Sequence, residues 1–177
     1  MLSDSVRTSS YRDALVKNPD SLRDALVLDI GCGTGILSMF DAQAGAKDVL
    51  GVECSDIIYK AMDIVRENKM DDKVKLVKGR LEENELPYEK YDIIVSEWMG
   101  YFLMFEGMLD SVLAARDNYL VPGGMVLAQR CTIELCAIAD TERFDSLVRF
   151  WSDVFGYAMP CMRSPVLEEA SVEVVPN

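Results

Sequence analysis

Two groups of residues in this 177-residue sequence have the types and spacing that chemistry requires. The first is VLDIGCGTG, residues 27–35, in which an apolar run meets Gly31, Gly33 and Gly35. Glycines let the backbone approach a ligand closely. Glu53 follows at the end of the next apolar run, about 20 residues on, where a carboxylate can hold ribose hydroxyls. Strand, glycines, helix, strand and acid together predict a nucleoside-containing ligand.

The alternative ligand for the glycine motif is a dinucleotide. The dinucleotide fingerprint is G-x-G-x-x-G, with the pyrophosphate on a helix N-terminus. Here the third glycine comes one position early, and Ile36 occupies the slot that the fingerprint requires. Asp29 precedes the glycines, where an acid disfavours pyrophosphate but can hold an ammonium group. The motif therefore favours S-adenosylmethionine over NAD, while glycines that serve only a tight turn stay a third possibility.

The second group is SEWMGYFLMFE, residues 96–106, which opens where a predicted strand ends. Glu97 and Glu106 bracket a loop of almost wholly apolar residues, so we expect the loop to fold inward and carry both acids into one pocket. Two neighbouring carboxylates repel each other and favour a cation between them. A guanidinium is planar, always charged and able to bind carboxylates bidentately. The loop therefore predicts an arginine-binding site.

The loop SEWMGYFLMFE resembles the double-glutamate loop of the protein arginine methyltransferases. VRTSSYRDAL, VLDIGCGTGILSMF, VKGRLEENELP and MLDSVLAARDNYL resemble the same family at matching spacing, over nearly the whole chain. NPDSL, AMDIVRENK and EEASVEVV are most similar to its cytosolic type I branch, known for ribosomal-protein substrates. The resemblance implies transfer of methyl groups from S-adenosylmethionine to arginine nitrogens of proteins. The expected products are S-adenosylhomocysteine with monomethyl and asymmetric dimethylarginine.

The resemblance also implies roles for single residues. Glu97 and Glu106 match the catalytic pair, and Met1 and Asp4 match the acceptor pocket. Arg7 matches a residue that pairs with the donor's carboxylate. The full set of implied donor-binding positions is Arg7, Asp29, Gly31, Gly33, Gly35, Glu53, Cys54, Ser55, Leu81, Glu82 and Met108. The family's paired aromatics upstream of Met1 and its histidine-containing loop have no counterpart in this sequence, so Asp4 lacks the histidine that it would meet.

The elements that must position these residues alternate between strand and helix. We predict helices at 8–17, 36–44, 55–68 and 108–119, and strands at 25–30, 48–53, 74–77, 91–96 and 125–129. This rhythm predicts an α/β fold, a doubly wound, mostly parallel sheet of the Rossmann-like methyltransferase type, over residues 1–129. Residues 130–177 are expected to begin a β-barrel-like substrate domain, with a strand at 131–139, a helix at 141–155 and an extended tail.

Composition narrows the classes of partner and site. The net charge of −12 argues against direct nucleic-acid binding and fits a basic, arginine/glycine-rich protein substrate. There is no histidine, and the five cysteines are scattered without a CxxC pair, so we expect no metal site. No signal peptide and no membrane segment is predicted, and we expect a protein of the cytoplasm and also of the nucleus. We expect a homodimer for an intact family member and a monomer for this chain.

Three functions stay open at this point. The chain is an arginine methyltransferase, a donor-binding module that cannot itself methylate, or a dehydrogenase with a dinucleotide pocket. In the first, an arginine nitrogen attacks the sulfonium methyl in line, and positioning supplies most of the catalysis. The two glutamates polarise the guanidinium and stabilise charge during transfer.

Overall fold

Strands alternate with helices from residue 26 to residue 127 of the computed structural model, which describes residues 2–170. The chain divides into two compact units after Ile133, rather than at the predicted boundary of 129. The elements of the first unit are α1 Ser5–Val16, α2 Pro19–Leu22, β1 Leu26–Ile30, α3 Ile36–Ala44, β2 Asp48–Glu53, α4 Ile57–Glu67, β3 Val74–Lys78, a 3₁₀ turn Leu81–Glu83, β4 Tyr91–Val95, α5 Leu109–Tyr119 and β5 Leu120–Leu127.

The strands form one five-stranded sheet in the order β3-β2-β1-β4-β5, and every neighbouring pair is parallel. The chain winds outward from β1 to β3 and then returns to β4 on the other side of β1. This reversal makes the carboxyl ends of β1 and β4 the place where ligands of such sheets bind. The predicted doubly wound α/β fold is confirmed.

Side chains that alternate along each strand build a core on both faces of the sheet. Val27 belongs to the cluster under α1 and α3, whereas its neighbour Leu28 belongs to the cluster under α5. Both are fully buried. Burial on two faces explains why the central strands are near-continuous apolar runs.

Most element bounds agree with the prediction to within three residues. Helix α1 begins earlier than predicted because Asp4 caps it, its side chain accepting from the Arg7 N–H at 3.0 Å. Strand β5 begins before the Pro122-Gly123-Gly124 turn instead of after it. Leu120 pairs with Tyr91 and Met125 with Ile93, so the turn forms a bulge within one strand.

The second unit contains α6 Thr141–Leu147, 3₁₀ turns Arg149–Ser152 and Pro160–Met162, and α7 Arg163–Glu168. The predicted strand at 131–139 is wrong, because no other strand of the described residues pairs with this segment and its side chains from residue 132 onward are exposed. The predicted helix at 141–155 is too long: α6 ends at Leu147, and a 3₁₀ turn follows at Arg149–Ser152.

The predicted extended tail is also wrong as far as residue 168. Pro160 and Pro165 lie in the first turns of helical segments, where the missing N–H costs nothing. The Val172–Val175 strand pattern lies outside the described residues. Residues 134–170 contain no strand. The assignment of 130–177 to the beginning of a barrel domain therefore has no support from these residues and stays a prediction. In the described part of the chain, no helix is long and apolar enough to cross a membrane.

Candidate active site

The glycine turn between β1 and α3 has a backbone that only glycine adopts readily. Gly31, Gly33 and Gly35 have φ of +69°, +55° and +78°. The Gly31 N–H donates to the Val52 carbonyl at 2.8 Å, which ties the turn to β2. A Cβ at Gly31 would lie 2.5 Å from Met108 Cε, so this glycine also makes room for a side chain from across the sheet.

Glu53 closes the same turn from the end of β2. Its carboxylate accepts from the Gly33 N–H at 3.0 Å and from the Ser55 N–H at 2.7 Å. Burial acts to raise the pKa of Glu53, but these amide hydrogen bonds outweigh it and hold the pKa below its usual value. An ionised carboxylate is therefore fixed beside the glycines, where the sequence predicted an acid for ribose hydroxyls.

Asp29, just before the turn, is fully buried. Ser38 Oγ donates to its Oδ2 at 2.5 Å, while its Oδ1 has no hydrogen-bond partner among the described residues. Burial raises the pKa of Asp29 to about 7, against the opposing effect of the Ser38 hydrogen bond. Asp29 is not among the residues that line the two cavities described next. Its contact with a donor ammonium stays a prediction.

Two cavities open at the carboxyl ends of β1 and β4, and Gly31 lines both. The Glu82 cavity, of about 460 Å³, brings together many predicted positions. Those predicted positions are Gly31, Cys54, Leu81, Glu82, Glu106 and Met108. The Glu97 cavity, of about 250 Å³, is lined by Gly31, Gly33, Thr34 and Glu97 among others. Gly35, Glu53 and Ser55 line neither cavity; Gly35 precedes α3 and the Ser55 N–H holds Glu53.

Glu97 already binds a guanidinium in this structure. Arg7 Nη1 donates to Glu97 Oε1 at 2.9 Å, and the side chain of Glu97 is only 17% exposed. Arg7 Nε lies 3.3 Å from Asp4 Oδ2, so a second carboxylate faces the same cation. Arg7 was predicted to pair with a donor carboxylate, and in this structure its partners are Glu97 and Asp4. Met1, the other predicted acceptor residue, lies outside the described residues.

Glu106 has a different environment from Glu97, which corrects two expectations. The loop between them is not folded inward: Tyr101 and Phe105 are each 80% exposed, and Phe102 is 77% exposed. Tight turns with positive φ at Phe102 and Leu103 direct the loop outward, and it hydrogen-bonds mainly to itself. The two acids do not face one pocket either, since Glu97 and Glu106 line separate cavities that meet at Gly31.

Sequence reasoning missed three polar residues that support the site. Ser38 holds Asp29, and Ser111 Oγ donates to Glu82 Oε1 at 2.8 Å. Tyr11 Oη donates to the Ser96 carbonyl at 2.9 Å, immediately before Glu97. Only Tyr11 left a signal in the sequence, because it lies one helical turn after Arg7 and therefore on the same face of α1.

A cavity of about 700 Å³ lies within the second unit, lined mainly by apolar side chains of α6 and α7. It contains none of the predicted site residues. Its lining residues offer no glycine turn and no paired acids. We therefore locate the candidate site at the sheet and not in the second unit.

Comparison with known proteins agrees with this location. A family model described as a methyltransferase domain matches residues 27–124. The chain is 54% identical over 175 residues to protein arginine N-methyltransferase 1 of Schizosaccharomyces pombe, covering 99% of this chain and 52% of that protein. It is 51% identical over 175 residues to the protein of the same name from Chlamydomonas reinhardtii, covering 99% and 51%.

A solved structure is similar as well. It is the Trypanosoma brucei PRMT1 enzyme–prozyme heterotetrameric complex with AdoHcy, with a TM-score of 0.83, 41% sequence identity, and coverage of 99% of this chain and 55% of that one. The chain thus spans about half the length of the curated relatives that it matches. The sequence identity to these relatives and the similarity of fold agree, and the chain belongs to the protein arginine N-methyltransferase family.

Proposed function

We propose that this chain binds S-adenosylmethionine and forms the catalytic core of an enzyme that methylates arginine side chains of proteins. The observation that carries the proposal is the Glu97 carboxylate, which binds a guanidinium at 2.9 Å beside the glycine turn. A donor site and an arginine-binding acid therefore meet at Gly31. The AdoHcy in the Trypanosoma brucei complex supports the choice of donor.

The residues present fit this donor. A Cβ at Gly33 would have nothing within 4 Å of it, so the backbone there is open to close approach. Glu53 is an ionised acceptor for hydroxyl groups. Asp29 Oδ1 is an acceptor without a partner among the described residues, which suits an ammonium group. When bound, S-adenosylmethionine supplies a sulfonium methyl group that a nitrogen nucleophile can take.

The chain's own contribution is to hold the acceptor guanidinium. The transfer forms an N–CH₃ bond and breaks the S–CH₃ bond, whose electron pair stays on sulfur, and the nitrogen releases a proton. A guanidinium has no localised lone pair. Carboxylates on one side of it draw positive charge toward themselves and leave the opposite nitrogen more nucleophilic. Glu97 supplies one such carboxylate, and Glu106 supplies the second once the loop brings it to the acceptor.

The net charge of −12 supports basic, arginine/glycine-rich proteins as substrates. Localisation to the cytoplasm, and also to the nucleus, is part of the proposal, and the free state of all five cysteines is compatible with it. For assembly, we expect the chain by itself to be monomeric and an intact family member to be a homodimer. Light scattering that gives a stable dimer of this chain at micromolar concentration would contradict the first expectation.

Two measurements test the function. Calorimetry with AdoHcy and with NAD should give saturable binding of AdoHcy only, and tight NAD binding would instead support a dehydrogenase. An assay with methyl-labelled donor should then label an arginine–glycine peptide but not a matched lysine–glycine peptide. Donor binding without any transfer to arginine would reduce the chain to a donor-binding module.

A further inference from the structure

Two residues of α1 contact two consecutive residues at the end of β4. Arg7 and Tyr11 lie one helical turn apart, on the same face of the helix. Arg7 pairs with Glu97, and Tyr11 Oη donates to the carbonyl of Ser96 at 2.9 Å. We call residues 97–106, between the two glutamates, the acid loop. Helix α1 therefore holds Glu97, the first residue of the acid loop, by its side chain and Ser96 by its backbone carbonyl.

Ser96 is fixed from three sides, and α1 is one of them. Its N–H donates to the Leu127 carbonyl at 2.7 Å, and its Oγ donates to the Ile30 carbonyl at 2.8 Å. These two bonds attach it to β5 and to β1. Its carbonyl receives the Tyr11 hydroxyl, and Ser96 itself is fully buried. A buried carbonyl that loses its donor is costly, so the Tyr11 hydroxyl selects the orientation of the peptide that leads into Glu97.

We propose that Tyr11 is a positioning residue for the transfer reaction, which fixes the backbone at Ser96 so that the Glu97 carboxylate faces the acceptor guanidinium. This inference rests on the proposed function. Tyr11 acts through Ser96 and touches neither donor nor acceptor. From residue 100 to residue 107 the loop hydrogen-bonds mainly to itself, and Tyr101, Phe102 and Phe105 are exposed, so its orientation depends on how it is held at residues 96–99.

The hydroxyl of Tyr11 is suited to act as a hydrogen-bond donor at every pH in the neutral range. Burial, followed by the charge of Glu97, raises the pKa of Tyr11 above its usual value. The hydroxyl therefore keeps its proton throughout the neutral range. Its oxygen also lies 3.8 Å from Met99 Sδ, a further contact with the same loop.

The test compares two Tyr→Phe substitutions that remove buried hydroxyls. In Tyr11→Phe the hydroxyl that is lost bonds Ser96, whereas in Tyr91→Phe the hydroxyl has no partner among the described residues. Tyr11 is 8% and Tyr91 is 1% exposed. We expect Tyr11→Phe to lower kcat at saturating donor by about 10-fold to 100-fold, the scale of a small misplacement, with AdoHcy affinity unchanged. Tyr91→Phe should leave both unchanged.

Leu15→Val controls for simple loss of stability, since Leu15 is a fully buried residue of the same helix and its apolar side chain cannot hydrogen-bond to Ser96. A kcat of Leu15→Val that falls as far as that of Tyr11→Phe, at equal thermal stability, would reduce Tyr11 to a structural residue. Equal kcat for Tyr11→Phe and the wild type would also overturn the proposal.

Hydrogen exchange provides a readout that does not depend on turnover. Tyr11→Phe should speed exchange of the amides in 96–107 and leave those of β1 unchanged, whereas Tyr91→Phe and Leu15→Val should not change 96–107 selectively. Unchanged exchange there in Tyr11→Phe would refute the positioning role. If the wild type binds AdoHcy but transfers no methyl group, the proposed function fails, and exchange still decides whether Tyr11 fixes the loop.

Discussion

The glycine turn after β1 and the acid loop after β4 leave the same edge of the sheet, from adjacent strands, yet they are held in opposite ways. The glycine turn is tied to its neighbours by the Gly31 bond to Val52 and the Gly33 bond to Glu53. The acid loop is held at its start, through the hydrogen bonds of Ser96 and Glu97 and the buried side chain of Trp98. Beyond that point its backbone bonds, such as that between Gly100 and Leu103, are internal.

We call the glycine turn with Glu53 the preformed side of the site, because neighbouring strands fix it. We call the acid loop the unfinished side, because most of its hydrogen bonds are internal. On the donor side, the neighbouring strands and their connections hold the glycines and the acid in place through the bonds to Val52 and Glu53. The acceptor side has one acid bound to Arg7 and the other exposed on a loop whose Tyr101, Phe102 and Phe105 side chains are exposed. Loops that a rigid scaffold positions often carry binding and catalytic residues, and the acid loop has this arrangement.

The largest expected effect is on catalysis at the unfinished side. Glu106→Gln keeps the shape of the side chain but removes its charge, so we expect methyl transfer to fall by at least about 100-fold. AdoHcy affinity should change much less, because the proposed partner of Glu106 is the acceptor. Initial rates and calorimetry on the same preparation measure both.

The exposed Glu89→Gln is the matched control and should change neither quantity. Normal methylation by Glu106→Gln would show that the acceptor clamp is wrong. Joint loss of donor binding and activity would instead assign Glu106 to the donor side, whose cavity it lines.

The next effect is on the preformed side. Glu53→Ala should weaken AdoHcy binding by about 1.5–3 kcal/mol, the scale of hydrogen bonds to a charged group. It also removes the acceptor of the Gly33 and Ser55 amides, so circular dichroism must first establish that the variant is folded. Asp56→Ala, at an exposed acid three residues on, is the control and should bind normally. Unchanged affinity of folded Glu53→Ala would remove Glu53 from the donor site.

A smaller effect is expected on stability, from a buried carboxylate without a described hydrogen-bond partner, in the helix that follows the glycine turn. Asp41 on α3 is fully buried, and neither carboxylate oxygen has a hydrogen-bond partner among the described residues. Burial, with the charge of Asp29, raises the pKa of Asp41 well above its usual value. A raised folded-state pKa means that Asp41 costs stability increasingly as the pH rises from about 4 toward that raised value.

Asp41→Ala should therefore stabilise the chain by about 1–2 kcal/mol at pH 8, and by less at pH 5. Urea unfolding at the two pH values measures the difference. Asp72→Ala, at an exposed acid, should change the free energy of unfolding little at either pH. A destabilised Asp41→Ala at pH 8 would indicate that Asp41 has a stabilising partner in solution.

The smallest expected effect is on the free energy of unfolding, when exposed aromatic side chains of the acid loop are replaced. Phe102→Ser and Phe105→Ser remove rings that are 77% and 80% exposed, so the free energy of unfolding should change by no more than about 0.5 kcal/mol. Thermal or urea unfolding of the chain checks this. A loss above about 1 kcal/mol would mean that the rings are packed in solution and that the loop is as well held as the glycine turn.

The parts of the fold that were predictable are those that follow local rules. Helix α3 and strand β2 have the predicted bounds because glycines or charges flank their apolar runs. The segment 131–139 misled because alternation of apolar residues describes a strand only where another strand pairs with it. Prolines in 159–168 misled because they break a helix interior but are accepted in a first turn.

The sequence by itself determined the parallel sheet, the glycine turn with its acid at Glu53, and the family to which the chain belongs, because each is specified by short-range spacing of particular residue types. Only the tertiary structure decided that Arg7 pairs with Glu97, that Tyr11 holds Ser96, and that Glu97 and Glu106 line different cavities. These contacts join residues up to 90 positions apart. Their geometry depends on how helices pack on the sheet, which residue spacing along the chain does not encode.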